Sequence, residues 1–228
     1  MATARSVCNL ALRKLGVLGG GRDARPADIN DTLDALRSMY TAWVSSGAFG
    51  RLRDVVPTGT TYMTAGNERI LRESAGTLTV TLPEMVSHAW HDDYGNEPVR
   101  YYGTNVIVST VDNQTNITVE PSQPVGYAIP PRDGSAVVIT DIEGGQTVTW
   151  LYDGHIKRWQ CVELLQMDDE APRSVADQQG LAACLAIEVS DQFGSDVAAQ
   201  TVAAASRYKI ALTSRFGMRR EESYGVYM

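Results

Sequence analysis

The chain lacks the sequence features that identify most metalloproteins, disulfide-rich proteins and membrane proteins. Its 228 residues include only three cysteines, Cys8, Cys161 and Cys184, an odd number without the paired spacing of metal ligands. We therefore expect reduced, buried thiols. No apolar run approaches the roughly 18 residues that a membrane span requires. The polar residues Arg5 and Asn9 predict that the N-terminus is not a signal peptide. These absences predict a protein of the cytosol.

Positive charge is scarce in the middle of the chain. Residues 53–170 hold 7 basic and 17 acidic side chains, a net charge of −10, whereas residues 1–52 carry +3 and residues 171–228 are neutral. Specific DNA recognition is not expected, because binding depends on Lys and Arg that neutralise phosphates. Two interpretations of the acidity stay open. It lines a channel through which DNA passes without sticking, or it keeps an exposed β-module soluble and discourages edge-to-edge pairing.

Motifs for catalysis or for binding of metal and phosphate are incomplete. His88 and His91 stand three residues apart beside two carboxylates, but a third metal ligand is not identifiable. Residues 19–21 are a glycine run without the Lys-Ser or Lys-Thr of a phosphate-binding loop, and residues 194–196 lack the Gly-x-Ser-x-Gly form of a nucleophile elbow. The acidic cluster at residues 168–170 is better explained as a solvated linker before a helix than as the carboxylate pair of a glycoside hydrolase. We predict no catalytic residues, no cofactor and no metal.

The N-terminal part of the chain has the spacing of two amphipathic helices. The first is predicted over residues 3–15, with Gly16 as its C-terminal stop. The second begins near Pro26 or Asp28 and ends at residues 45–47. Its apolar residues are spaced by four and three, which places them on one stripe. This stripe comprises Ile29, Leu33, Leu36, Tyr40 and Trp43.

The C-terminal part returns to the helical pattern. Ser174, followed by Asp177 three residues later, fits a capping box and opens a helix that is expected to run to about Phe193. Residues 195–196 are expected to cap a fourth, alanine-rich helix. Its apolar stripe comprises Thr201, Ala205, Tyr208, Leu212 and Phe216. Four helices of this length can close a compact bundle from the two ends of the chain.

Between the helical ends the apolar residues alternate with polar ones, as in strands. The clearest predicted strands are residues 78–82, 105–109, 116–120, 136–140 and 146–150. The pair Asp153-Gly154 predicts a tight hairpin turn between Leu151-Tyr152 and His155-Ile156. Several short strands of this kind predict a small antiparallel barrel or sandwich.

The predicted fold class is therefore α+β. A four-helix bundle is formed by both chain ends, with an inserted small antiparallel β-barrel or sandwich module and an extended C-terminal tail. Residues 1–52 are the first half of the bundle, and residues 53–170 are the inserted β-rich module. Residues 171–216 are the second half of the bundle, and residues 217–228 are the tail.

Both helical ends carry a resemblance to a known family. The segment Ala11-Leu12-Arg13-Lys14-Leu15-Gly16-Val17, followed by a helix ending at Trp43 and Gly47, resembles the opening of the head-to-tail adaptor proteins of tailed phages. These are also called head-completion or packaged-DNA-stabilisation proteins and are best known in short-tailed phages. Gly180-Leu181-Ala182-Ala183, then Asp191-Gln192-Phe193-Gly194 and an alanine-rich helix, are similar to the C-terminal core of the family. The resemblance covers these two blocks and not the β-rich middle.

The resemblance implies a virion structural protein at the head–tail junction, made in the host cytoplasm, rather than an enzyme. Such adaptors dock as a ring of about twelve copies under the portal vertex. The ring closes the DNA exit channel after packaging and provides the attachment surface for the tail. The implied partners are the portal protein ring, neighbouring copies of the chain, a downstream tail or nozzle protein and packaged DNA that passes without sequence-specific binding. Neither a membrane nor a cofactor is implied.

The C-terminal tail is the implied contact with the portal, because the extended C-terminal segment commonly reaches the portal in this family. The residues that would make this contact are Arg215, Arg219, Arg220, Tyr224, Tyr227 and Met228. Tyr and Arg are the residue types that dominate buried interface contacts. A frayed terminus is the alternative. The chain departs from smaller family members, which join their helical halves by a short connection instead of a long insertion.

Two other functions stay open. The chain is alternatively another tail or baseplate component, whose β-module binds a neighbouring protein or a surface glycan. Less expected is a cell-wall hydrolase with its active site in the β-module. A multimer that assembles without a portal would favour the former, and an activity lost on mutating one carboxylate would favour the latter.

Overall fold

The chain folds into helices and small sheets in a computed structural model. The structure describes residues 2–19, 24–49, 51–64, 67–72, 78–81, 105–110, 117–119, 139–142, 147–153, 158–172 and 174–216. Within them the helices are α1 (Ala4–Lys14), α2 (Pro26–Ser45), α3 (Ser174–Val189) and α4 (Ala199–Phe216). The strands are β1 (Arg53–Val55), β2 (Thr61–Met63), β3 (Glu68–Arg72), β4 (Leu78–Thr81), β5 (Asn105–Thr110), β6 (Ile117–Val119), β7 (Ile139–Ile142), β8 (Thr147–Asp153) and β9 (Arg158–Cys161). The fold is thus of mixed α+β class.

Helices α1 and α2 have the ends that their sequences predict. Thr3 caps α1, since its hydroxyl oxygen accepts a hydrogen bond from the backbone N–H of Ser6 at 3.3 Å. Gly16 follows α1 with a φ of 74°, a left-handed conformation that glycine adopts without strain. Pro26 lies in the first turn of α2, where its missing N–H costs nothing. Gly47, with a φ of 76°, ends the turn after α2.

The predicted apolar stripe of α2 is buried along its whole length. Trp43 lies at its C-terminal end and contacts the rings of Tyr40 and Phe49, with centroids 6.3 and 6.0 Å away. Tyr40 also donates a hydrogen bond from its hydroxyl to the Pro172 carbonyl oxygen at 2.6 Å, in a buried position. The aromatic cluster therefore joins α2 to the segment that leads into α3.

Helix α3 is the centre of the helical part. Its residues 181–186 are all buried, and it packs against α1, α2 and α4. A helix that is apolar around its circumference is one that neighbours surround. Trp43 on α2 and Tyr208 on α4 meet with their ring centroids 6.2 Å apart. The predicted stripe of α4 is buried at Thr201, Ala205, Tyr208 and Leu212, which confirms that part of the pattern.

The boundary between α3 and α4 differs from the prediction. Helix α3 ends at Val189 instead of Phe193, and α4 begins at Ala199 rather than directly after residues 195–196. The Ser190 hydroxyl donates to the Ile187 carbonyl at 2.8 Å, and the Ser195 N–H donates to the Ser190 carbonyl at 3.1 Å. These local bonds compete with continued helix. The glycine at 194, with a φ of 57°, completes the turn.

The N-terminus is bonded to the segment before α3. The Ala4 N–H donates to the Asp169 carbonyl and the Arg5 N–H to the Met167 carbonyl, both at 2.9 Å. The Ala171 N–H donates back to the Ala2 carbonyl at 3.1 Å. The acidic cluster at residues 168–170 is thus a partner of the chain start, as well as the solvated linker that its charge predicts.

The strands form two sheets, and the chain alternates between them from β1 to β6. One sheet has the order β1-β3-β5-β8-β9, and the other has the order β2-β4-β6-β7. Within the described strands, β1-β3, β3-β5, β2-β4 and β4-β6 pair in parallel, whereas β5-β8, β8-β9 and β6-β7 are antiparallel. The prediction of a purely antiparallel module is therefore wrong. From β1 to β6 each strand is followed by a strand of the other sheet, and β1, β3 and β5 run in one direction, as do β2, β4 and β6. The pairs β6-β7 and β8-β9 follow each other within one sheet and are antiparallel.

The antiparallel pairing of β8 with β9 confirms a hairpin at this place, but its two-residue turn was wrong and several strands were missed. Asp153 pairs with Arg158 and Tyr152 with Trp159. A two-residue turn at Asp153-Gly154 would instead pair Tyr152 with His155. The connection itself lies outside the described residues. The strands β1, β2, β3 and β9 were not among the clearest predicted strands, whereas β4, β5, β6 and β8 lie on predicted ones. Strand β7 is displaced by three residues towards the C-terminus from residues 136–140.

Gly180 tests the close contact between α3 and α4. A Cβ at this position would lie 2.3 Å from Cγ of Tyr208, which is far inside van der Waals contact. Alanine normally stabilises a helix by up to about 1 kcal/mol over glycine. We expect Gly180→Ala instead to lower the free energy of unfolding by about 1–3 kcal/mol, since the helices must separate. Urea denaturation measures this loss. Gly19→Ala, where a Cβ meets nothing within 4 Å, is the control and should be near neutral.

Candidate functional site

The predicted portal-contact residues fall at the edge of the described structure. Arg215 lies in the last turn of α4, with its backbone described. Arg219, Arg220, Tyr224, Tyr227 and Met228 lie outside the described residues. The pair His88 and His91, considered as metal ligands, also lies outside them. Their proposed contacts therefore stay predictions.

A buried carboxylate links the two sheets. Glu68 on β3 is 1% exposed, and it accepts hydrogen bonds from the Tyr62 hydroxyl at 2.9 Å and from the Thr64 hydroxyl at 2.6 Å. The guanidinium of Arg53 on β1 donates to the other carboxylate oxygen and forms an ion pair with it. Tyr62 lies on β2, in the four-stranded sheet, whereas Glu68 and Arg53 belong to the five-stranded sheet. Side chains of both sheets thus converge on Glu68.

The electrostatics of this cluster favour a structural role. Burial raises the pKa of the Tyr62 phenol, and the hydrogen bond to Glu68 raises it further. The hydrogen bond to Glu68 raises the pKa of Arg53. Tyr62 therefore stays a neutral donor, and Arg53 stays a cation. Three donors compensate the buried carboxylate for the water that it loses. The arrangement commits the Glu68 oxygens to bonds within the protein.

A second carboxylate joins the five-stranded sheet to α2. Glu163 follows β9 and accepts hydrogen bonds from the Thr149 N–H of β8 at 2.8 Å and from the Thr41 hydroxyl of α2 at 3.3 Å. The Arg37 Nε of α2 donates to the Leu165 carbonyl at 2.9 Å. Leu151 of β8 belongs to the buried cluster of the helices. The strand pair β8-β9 is thus positioned against α2 by both polar and apolar contacts.

An open groove lies between α2 and the C-terminal end of α3. Its volume is about 620 Å³. We call it the α2/α3 groove, lined by Asp31, Asp34, Ala35, Ser38, Met39, Ala42, Trp43, Glu188 and Gln192. Its acidic residues are exposed, and Arg37 pairs with Asp34 at 2.8 Å. Neither Asp31 nor Glu188 forms an ion pair with another described residue. The groove combines a floor that includes Met39 and Trp43, both almost fully buried, with exposed carboxylates on its rim.

The three cysteines are free and buried, as the sequence predicts. Burial raises the pKa of the Cys8 and Cys161 thiols to about 12 and that of the Cys184 thiol to about 11. The negative charge of Glu163 contributes at Cys161. Thiols in such surroundings are protonated at neutral pH and are poor nucleophiles.

The described residues include neither a candidate metal site nor a helix that could cross a membrane. Among them, three or more His, Cys, Asp or Glu side chains do not gather in a way that would hold a metal ion. The helices in the same ranges are too short or too polar to cross a membrane.

Sequence reasoning missed the two carboxylate clusters and the groove. Glu68 stands in a segment of alternating charge, Glu-Arg-Ile-Leu-Arg, where a buried acid is not expected. Its partners come from β1 and from the other sheet, so a local pattern does not reveal them. Glu163 and Thr41 are 122 residues apart. The acidic residues of α2 at the groove could be expected to be exposed from the helical pattern, but the position of Glu188 beside them could not be predicted.

Neither a model of a protein family nor a curated protein sequence matches the chain. The resemblance to head-to-tail adaptors therefore rests on the quoted residues alone.

Glu68→Gln tests the link between the sheets. The amide oxygen can still accept from Arg53, and the Tyr62 and Thr64 hydroxyls can turn to accept from the NH2 group, but the carboxylate charge that all three now bond is gone. We expect the free energy of unfolding to fall by about 1–3 kcal/mol, because hydrogen bonds to a charged group stabilise more than those to a neutral one. Urea denaturation at neutral pH measures it. Asp54→Asn removes an exposed ion pair with Arg69 and should change stability by less than about 1 kcal/mol. Equal losses in the two variants would contradict a special role for Glu68.

The thiols give a prediction of reactivity and of pH dependence. Ellman's reagent at pH 8 should modify almost none of the native thiols and all three after unfolding in urea. Because the folded pKa values are raised, the thiols contribute stability that is complete below pH 9 and is lost as the pH rises towards 11 to 12. Cys8→Ala should therefore weaken the loss of stability above pH 9. Rapid labelling of the native chain would contradict burial of the thiols.

Proposed function

We propose that the chain is a head-to-tail adaptor of a tailed phage. In this proposal it docks as a ring under the portal vertex, closes the DNA exit channel after packaging and provides the attachment surface for the tail. The portal ring, neighbouring copies and a downstream tail protein are its partners. It acts through protein contacts, without catalysis.

The observation that carries the proposal is the joining of both chain ends in one helical core. Helices α1 and α2 from the start of the chain pack on α3 from the end, and the backbone bonds of Ala4 and Arg5 to residues 167–169 fasten them. These helices contain part of the segments on which the family resemblance rests, namely residues 11–14, Trp43 and residues 180–183. Ala11, Trp43 and residues 181–183 lie buried in the shared core. The resembling segments are thus parts of one structural unit, as the proposal requires.

The finer architecture that we propose is a four-helix bundle with a two-layer β-sandwich inserted in it. The contacts of α3 with the other three helices support the bundle. The hydrogen bond from Tyr62 to Glu68 supports packing of the two sheets face to face, since it joins residues from different sheets. The bonds of Glu163 and Arg37 hold this module against α2. Held in this way, the module presents a fixed surface to a neighbouring virion component.

Removal of the C-terminal tail tests the portal contact. Deletion of residues 217–228 should leave the helical core folded, because it leaves the whole of α4 in place, with its buried residues Thr201, Ala205, Tyr208 and Leu212. We expect the deletion to abolish binding to a purified portal ring from the same phage. The measurement is native mass of the chain alone and after mixing with the ring. The full chain should be monomeric alone at micromolar concentration and bind the ring in about twelve copies.

A matched pair of variants separates the tail's chemistry from its mere length. Arg219→Ala with Arg220→Ala should weaken portal binding by at least tenfold, since Arg residues anchor interfaces. Glu221→Gln with Glu222→Gln should bind as the full chain does. A full chain that ignores the portal would refute the adaptor function. A multimer formed without portal would then favour another tail component, and a monomer would direct attention to cell-wall hydrolysis.

A further inference from the structure

One face of α4 is apolar, basic and uncovered among the described residues. Ile210 is 69% exposed and Val202 is 43% exposed. We define the outer face of α4 by seven of its exposed residues, Ala199, Val202, Ala203, Ser206, Arg207, Lys209 and Ile210. The helical repeat of 3.6 residues places Ala203 and Ile210 opposite the buried stripe that contacts α3, whereas Val202 and Lys209 lie at its flank. Exposed isoleucine and valine beside small residues form a smooth apolar strip.

The charges of this face have one sign. Arg207 and Lys209 are exposed and lie on either side of the strip that contains Ile210 and Ser206, as the spacing on the helix requires. Helix α4 contains no acidic residue along its whole length. Arg207 and Lys209 form no ion pair within the described part of the chain. The outer face of α4 is therefore an apolar strip bordered by two cations that lack an ion-pair partner among the described residues.

The α2/α3 groove is the complement of this face. Its floor is apolar, with Met39, Ala42 and Trp43, and its rim carries Asp31 and Glu188 as carboxylates without an ion-pair partner among the described residues. From Asp31 to Trp43 it runs along about 18 Å of helix, and the outer face of α4 runs along a similar length. If the outer face of α4 enters the α2/α3 groove, apolar surface meets apolar surface and cations meet carboxylates.

We propose that the outer face of α4 of one copy docks in the α2/α3 groove of a second copy. The two surfaces belong to the same chain but are different patches, so the contact is head-to-tail and repeats from copy to copy. This inference rests on the proposed adaptor function, for which it supplies the contact between neighbouring copies. Ile210 and Val202 pack on the floor of the groove, while Arg207 and Lys209 face Asp31 and Glu188. Salt weakens the contact, because these charges lie at the solvent-exposed rim.

Cross-linking between two variants, each with one added cysteine, tests the contact. Ser38→Cys places a reactive thiol in the groove and Ser206→Cys places one on the outer face of α4, and both serines are exposed. The three native thiols are buried and protonated, so they do not compete. The two proteins are mixed at about 0.1–1 mM, where a weak contact is populated, and treated with a short bis-maleimide. We expect a covalent heterodimer of the two variants, both free and on the portal ring.

The control partner is Thr58→Cys, on the exposed segment between β1 and β2. Mixed with Ser206→Cys, it should give only the background of random collision. Ile210→Glu on the Ser206→Cys chain should reduce the heterodimer to that background. Because Ile210 is largely exposed, this change should leave the unfolding transition intact.

Charge reversal and rescue separate a specific contact from loss of folding. Arg207→Glu with Lys209→Glu on one chain should lower the heterodimer yield by roughly tenfold, a change of about 1.4 kcal/mol. Asp31→Lys with Glu188→Lys on the other chain should restore it. The contact is overturned if the yield of heterodimer does not exceed the Thr58→Cys control, either for the free chains or for the chains on the portal ring. This holds even if portal binding is intact. Cross-linking of Ser38→Cys to the portal protein instead overturns it as well. Portal binding by itself remains the test of the adaptor function.

Discussion

The bonding of the first residues of the chain to residues 167–171 is the constraint on which the helical part depends. Three backbone hydrogen bonds join Ala2, Ala4 and Arg5 to this segment. They place the start of α1 beside the start of α3, so that two helices from opposite ends share one core. The buried hydroxyl of Tyr40 reinforces this arrangement, because it bonds the Pro172 carbonyl. Backbone groups here are satisfied by partners more than 160 residues away, which makes the closure a property of the whole chain.

The sheets are organised by polar contacts where one expects apolar ones. Glu68 joins β1, β2 and β3 from inside, and Glu163 joins β8 to α2. Burying a carboxylate costs desolvation free energy, which is offset only if its hydrogen-bond and ion-pair partners are in place. Such a residue therefore penalises other registers of the strands more strongly than a leucine would. Two of the acids of the middle segment thus have positioning roles, and they are not available to line a channel.

Local patterns predicted some of these elements and missed others for physical reasons. The stripe of α2 was recognisable because its burial follows the helical period, and Gly16 because its left-handed turn has a local signal. Strands β1 and β3 were missed, since Glu68 reverses the expected polarity and its burial depends on Arg53, Tyr62 and Thr64. Parallel pairing was missed because it depends on which sheet each strand joins. The α2/α3 groove needs the placement of Glu188 beside Asp31, which no local spacing contains.

The central position of α3 has a consequence for synthesis. Arg37 of α2 and its partner Leu165 are 128 residues apart, and α3 follows later still. At roughly 5–20 residues per second, α1 and α2 leave the ribosome on the order of ten seconds before their partner exists. During that interval the apolar stripe of α2, from Ile29 to Trp43, is not yet covered by α3, and the strands of the middle segment leave the ribosome before α3 does. The molecule therefore completes its core last, from its two ends, which makes the nascent chain a natural client for chaperones.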